Sequence, residues 1–394
     1  MKKNILLIGV TILMSSLTSF GETGNAPALS EQNDSTQSKL ETIDKQTADY
    51  IYSTIDIAID AMENHQYELA GSYLDKILAD YPDHYVANYE RAMLSFYTAK
   101  YTEGIERLER MKDSPEIQPR YYVLLGASYD YAGDADKAIE IFKEGVARFP
   151  KSGTLYQEIG IMYNAQGMGN EALKYFSQGI EAEPGYPTNY YYSAKLTHGS
   201  TRPAWDLFYS EICMNLYEPT YKRVEELGKG MVETITSHLK VEKKELQLDL
   251  NLSEKLREAT ADTLGNIVIC TDLLYETIFN VACSDLKYKK LKEGNELEQL
   301  ANIHLEIINK KTMFMDNPLT RHYKKISESG HAKAYCMWLY SYAYPEQYEA
   351  WMLDNKDAVD SFLAWFQDYT IDPGEGMSIY SHSYTRTNFF NMNE

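Results

Sequence analysis

The 394-residue chain holds 58 acidic against 38 basic side chains, a formal charge of −20. A surface of that sign repels phosphate and anionic lipid, so no nucleic-acid partner is expected. Its four cysteines, Cys213, Cys270, Cys283 and Cys336, lack metal or redox spacing and are too few for a disulfide framework; buried free thiols are the preferred reading, with one pair in an exported chain as the alternative.

Residues 1–21 read as a secretory signal peptide: Lys2 and Lys3, a short apolar run from Ile5 to Met14, then small residues at Ser19 and Gly21. The apolar run falls short of the ~20 residues that span a bilayer, so cleavage with no later membrane insertion is expected, an uncleaved anchor being the alternative. Removing both lysines takes the charge to about −22. Residues 22–45 are polar and free of aromatic rings, a flexible lead-in.

From there the chain repeats itself. At an offset of 34 residues the pairs Tyr122/Tyr156, Leu125/Ile159, Gly126/Gly160, Tyr129/Tyr163, Gly133/Gly167, Ala138/Ala172, Phe142/Phe176, Gly145/Gly179 and Pro150/Pro184 coincide. Tyr122, Leu125, Gly126 and Tyr129 fall three and four apart, on one face of a first helix. Gly126 or Gly160 lets the second helix pack near the backbone, and Phe142 or Phe176 of that helix fills the gap. Gly133 and Gly167 stand where the first helix ends and positive φ is wanted. Pro150 and Pro184 stop the second helix. Ala58, Ala61, Tyr67, Ala70, Leu74 and Pro82 form an earlier unit, and Ala92, Ala99, Tyr101, Gly104 and Leu108 the next.

This pattern resembles the tetratricopeptide repeat closely. Four units are read over 51–186 and a degenerate fifth up to 218, so residues 46–218 are expected to form a repeat domain. The expected fold is all-α, an α-solenoid of helix-turn-helix units followed by a mostly helical C-terminal region over 219–370 and a tail, 371–394. In that region helices are read at 219–239, 266–286, 295–315, 332–344 and 356–369, and a strand where Leu246, Leu248, Leu250 and Leu252 alternate with polar residues. Tyr380, Tyr384, Phe389 and Phe390 leave open whether the tail is loose or lies back on the domain.

The sequence holds no phosphate-cradling glycine loop, paired-histidine zinc helix or serine elbow, and no cofactor or metal is expected. His331 and Cys336 are the single nucleophile–base pairing to consider, and a helix-terminal histidine beside a core cysteine is the preferred reading. Binding chemistry rests on the resemblance, which implies a concave groove lined by the non-packing positions of each first helix. Carried onto this chain, those positions are Tyr89, Glu90, Phe96 and Tyr97, then Arg120, Asp130 and Tyr131, then Gln157, Glu158 and Asn164, then Tyr191 and Tyr192. Family members that clamp a terminal carboxylate use lysine and asparagine here; this chain places tyrosine, glutamate and glutamine instead. The expectation is a non-enzymatic exported module for a protein or peptide partner. An enzyme with its site in 220–394 and a self-assembling structural protein stand as alternatives, and the oligomeric state is open.

Overall fold

The computed structural model describes residues 44–200, 203–216, 222–242, 245–249, 271–309, 318–369 and 371. The expected signal peptide, nearly all of the lead-in, Cys270, Leu250, Leu252 and the aromatic residues of the tail lie outside them. The chain divides into two compact units, one ending at Ala138 and one beginning at Ile139.

In the first unit, α1 (Lys45–Glu63) and α2 (Tyr67–Asp80) are followed by α3 (Tyr85–Tyr97), α4 (Tyr101–Met111), α5 (Pro119–Tyr131) and the first turn of α6 (Ala135–Arg148). Asp44 starts α1 by accepting the Thr47 amide at 3.0 Å, which satisfies an amide that no helical carbonyl reaches. Proline opens α5, where a missing amide proton costs nothing. Ile51, Ile55, Ala58, Ala61, Met62, Ala70, Leu74, Ile77, Ala87 and Leu94 form a continuous core of small and branched side chains. These are the three- and four-apart positions of successive helices.

The second unit runs from the rest of α6 through α7 (Gly153–Ala165), α8 (Gly169–Ala182), α9 (Pro187–Thr197), α10 (Pro203–Leu216) and α11 (Lys222–Ser237). After α11 come β1 (Leu239–Glu242) and β2 (Glu245–Leu248), an antiparallel ribbon in which Leu239 faces Leu248. Leu246 and Leu248 are buried, so the alternation read at 246–248 is a strand, and the four residues just after α11 are its partner. Then follow α12 (Thr271–Asp285), α13 (Glu296–Asn309), α14 (Pro318–Ser329), α15 (Ala332–Ser341), α16 (Pro345–Asp354) and α17 (Lys356–Asp368). Helices α14 and α16 were not singled out by periodicity. One apolar core joins Leu173 and Ile180 of α8 to Phe362 and Phe366 of α17. The repeat spacing ends near position 218 in sequence, yet the described residues on either side of that position share this core.

The repeat is written in the backbone itself. Positive φ occurs at His65, Ala99, Gly133 and Gly167, each 34 residues after the last. Each is the turn between a first and a second helix, and the closing bonds repeat with it: the amides of Gln66, Lys100, Asp134 and Met168 reach the carbonyls of Ala61, Ser95, Tyr129 and Tyr163 at 2.7–2.9 Å. That six-to-one bond needs the left-handed residue before it. Within the second unit, a Cβ on Gly160 would collide with the Phe176 ring, so the glycine is what lets α7 and α8 approach. Helix pairs with this turn, this small-to-large packing and this period have the tetratricopeptide fold, and the fold class is all-α and α-solenoid. Among the described residues no helix is long and apolar enough to cross a membrane.

Candidate functional site

In the first unit the residues singled out on the first-helix face fall into two neighbouring groups. One group is aromatic. Phe96 of α3 sits edge-on to Tyr131 of α5 at 5.1 Å and to Tyr101 at 5.5 Å, and Tyr97 stacks on Tyr67 of α2 at 6.3 Å. Phe96 is buried, while Tyr97, Asp130 and Tyr131 are half-buried. Burial raises the Asp130 carboxyl above its ordinary range.

The other group is polar. Tyr89 of α3 is buried, its hydroxyl donates to the Arg120 carbonyl at 3.4 Å, and the Arg120 guanidinium lies over its ring at 4.7 Å. Beside them Glu90 is only 8 % exposed. Burial pushes its carboxyl up to about 7, against the opposing field of Arg120. No described residue hydrogen-bonds to the Glu90 carboxylate, and Arg120 makes no ion pair with it within 4 Å. The buried Nε of Arg120 has no acceptor among the described residues either. Native interiors pair nearly all such groups, and Arg120 Nε shares this departure with buried atoms of the second unit such as Asn189 Oδ1 and Ser177 Oγ.

In the second unit the corresponding residues are used up internally. Gln157 is buried, donates to Glu158 at 3.1 Å and accepts from the Tyr186 hydroxyl at 2.7 Å. Tyr191 donates to Glu226 at 2.7 Å, under the Arg223 guanidinium at 4.5 Å, and Tyr192 stacks on Phe176 at 5.2 Å. Asn164 is exposed at the end of α7, where its carbonyl accepts from Gly167. Of the twelve residues singled out, Tyr89, Glu90, Phe96, Gln157 and Glu158 are buried, so an open aromatic trough is not what these positions form.

His331 and Cys336 do not form a nucleophile–base pair. The His331 ring packs against Trp365 at 5.5 Å, and burial holds the Cys336 thiol far above its ordinary value. Cys213, Cys283 and Cys336 are free and buried. Among the described residues no three metal-ligating side chains gather into a site.

Sequence reasoning missed a buried network in the second unit. Glu211 of α10 accepts from Tyr335 at 2.8 Å and Tyr323 at 2.9 Å, and its Oε1 lies 3.3 Å from His304 Nε2. His304 shares a hydrogen bond with Tyr340 at 2.9 Å, and Asn215 donates to Tyr335 at 3.0 Å. Glu211 and His304 are each 1 % exposed. Burial alone would raise the Glu211 carboxyl, but His304 and the two phenols outweigh it and hold it below its ordinary range. His322 bonds Tyr369 at 3.0 Å, and burial pulls its imidazole down to about 4. A smaller set joins Asp206 to Thr234 at 2.5 Å, His198 at 3.0 Å and Ser210 at 3.1 Å. No local spacing signals these clusters, since Tyr323 and Glu211 lie 112 residues apart.

No family model matches the sequence, and no curated protein matches it. Among solved structures the chain is similar to TTC0263, a thermophilic tetratricopeptide protein of Thermus thermophilus, at 14 % identity over 46 % of this chain and 99 % of that one, with a TM-score of 0.39. It is similar to PilW, a type IV pilus biogenesis factor, at 16 % over 48 % and 86 %, with a TM-score of 0.40. A third is YrrB, a tetratricopeptide protein with an unusual peptide-binding site, at 17 % over 47 % and 86 %, with a TM-score of 0.31. Superpositions of that quality carry no argument, and the fold rests on the repeated helix pairs themselves.

Proposed function

We propose that this chain is an exported, non-enzymatic interaction module that docks a protein or peptide through the first-helix face of the unit ending at Ala138. The observation behind this reading is the group of rings that Phe96, Tyr97 and Tyr131 form on that face, with the Arg120 guanidinium over Tyr89 beside them. The half-buried rings of Tyr97 and Tyr131 offer a docking partner area at little entropic cost. Export rests on Lys2, Lys3 and the short apolar run that follows.

Capture from envelope extract tests the docking face. Immobilised wild-type protein is compared with a Tyr97→Ala/Tyr131→Ala variant whose melting temperature is measured alongside. Loss of the captured species in a folded variant supports the assignment, and unchanged capture refutes it. Export is tested separately, by fractionating cells that express the full chain and the chain without residues 1–21.

A further inference from the structure

We infer that the exposed face of α1 and α2, at the start of the repeat stack, docks an amphipathic helix of a partner protein whose apolar stripe is flanked by lysines and arginines. This surface is separate from the rings of Phe96, Tyr97 and Tyr131, and the inference stands without them.

Three large apolar side chains stand open there, Tyr50 at 48 %, Ile57 at 47 % and Leu69 at 44 % exposure. The Lys76 ammonium of α2 lies 5.5 Å from the Tyr50 ring of α1. The two helices are joined by a short turn and run antiparallel, so two turns further along Ile57 stands opposite Leu69. Between these pairs lie Ser53 and Ser72. Each donates to a carbonyl of its own helix, Ser53 to Tyr50 at 3.0 Å and Ser72 to Leu69 at 2.7 Å, so the middle of the face makes no polar demand on what covers it.

The repeat does not account for Tyr50 and Leu69. One, two and three repeats after Tyr50 the chain carries His84, Gln118 and Ser152, and after Leu69 it carries Glu103, Lys137 and Glu171. Ile57 is a stacking position. One repeat on it is Arg91, which reaches back to Asp75 of α2 at 2.8 Å, and then Leu125 and Ile159, both buried. The position thus faces the second helix of the unit before, and no helix precedes α1 among the described residues. A helix is therefore the shape that covers Ile57, and the rim sets its charge. Asp49, Asp56 and Asp60 fall seven and four apart along one edge of α1, all exposed, and Glu68 stands exposed beside Leu69. Such a rim repels a second copy of the same face. It equally repels residues 22–43 of the chain, where Glu22, Glu31, Asp34 and Glu41 outnumber Lys39. It attracts lysine and arginine on the shoulders of an apolar helix, whose stripe would lie over Tyr50, Ile57 and Leu69.

The test measures fluorescence anisotropy of labelled peptides of about 18 residues with the full chain. One peptide is built of leucine and lysine with leucine at helical spacing, a second has glutamate for lysine, and a third has the first one's composition with the spacing scrambled. The first should bind about tenfold more tightly than either of the others. Ile57→Ser/Leu69→Ser, which alters only exposed side chains and should leave the melting temperature unchanged, should weaken that binding about tenfold. Asp49→Asn/Asp56→Asn/Asp60→Asn should weaken it and flatten its salt dependence. Tyr97→Ala/Tyr131→Ala should bind as the wild type does. No binding, equal binding of the ordered and scrambled peptides, preference for the glutamate peptide, or unchanged affinity in Ile57→Ser/Leu69→Ser overturns the inference. Loss on Tyr97→Ala/Tyr131→Ala alone also overturns it, while leaving the first-helix docking face standing. Sedimentation that shows a dimer dissolved by Ile57→Ser/Leu69→Ser would give the face to a second copy and overturn it as well.

Discussion

The two units of this chain each bury a glutamate, and treat it oppositely. In the unit that starts at Ile139, Glu211 sits among Tyr323, Tyr335 and His304, and its carboxyl is held low. In the unit that ends at Ala138, Glu90 has only the field of Arg120, and its carboxyl is pushed up to about 7. Similar burial thus gives opposite electrostatics, because the sign of a shift depends on which partners come with the burial. The Glu211 network ties four helices together and is structural. Glu90 has no such hydrogen bonds among the described residues, and that is the contrast between the units.

The largest expected effect is at Glu211. Glu211→Ala removes the common acceptor of two phenols and leaves His304 without its carboxylate, and should cost about 3–5 kcal/mol in urea unfolding. Glu90→Leu should instead be neutral or stabilising by about 1–2 kcal/mol at pH 8, since it removes an unpaired buried carboxyl. If both substitutions destabilise alike, Glu90 has a structural partner and the contrast between the units collapses.

Acidity should separate the units next. His322 titrates at about 4 in the fold against 6.5 unfolded, so its contribution is fully present above pH 6.5 and is lost as pH falls through 4. The loss is about 3 kcal/mol. Glu90 has the opposite sign: its folded value of about 7 lies above 4.5, so its contribution is fully present below pH 4.5 and is lost as pH rises through 7. Unfolding free energies between pH 3.5 and 8.5 should show the acid limb flattened in His322→Gln and the alkaline limb flattened in Glu90→Leu. A variant whose profile parallels the wild type would refute the assignment for that residue.

Two smaller effects probe the repeat. Gly160→Ala should lose about 1–3 kcal/mol by forcing the Phe176 ring aside. Ala99→Gly should gain about 1 kcal/mol or less, because Ala99 holds φ at 56° where the later units place glycine. Calorimetry of the two proteins side by side reads both, and an unchanged or lowered midpoint for Ala99→Gly would mean that the turn carries no strain.

Much of the repeat was legible in the letters. The offset located the turns at Gly133 and Gly167, with Ala99 in the equivalent place of the unit before, and the structure adds His65; it also set small residues such as Gly160 against large ones such as Phe176. Alternation likewise marked the strand at Leu246 and Leu248. Helix α14 was passed over although Leu319, His322, Tyr323 and Ile326 recur at helical spacing, and α16 was harder, being a short segment with no fully buried residue. The groove positions were named from the resemblance to the repeat family, which does not give their burial. Periodicity says which side of a helix a residue is on, and says nothing of what the neighbouring helices place over it. That is why Gln157, Glu158 and Tyr191 turned out to be engaged within the fold while Glu90 has no hydrogen-bond partner among the described residues.

By itself, then, the sequence determined the period, the helix pairs and the turn chemistry, all of which arise from interactions between residues close in the chain. Tertiary structure decided which polar groups were satisfied. The phenols that bond Glu211 come from residues more than 100 positions away, and the isolation of Glu90 depends on what the packed helices bring near it. Hydrogen-bond satisfaction is a property of the assembled interior, and no local pattern of letters encodes it.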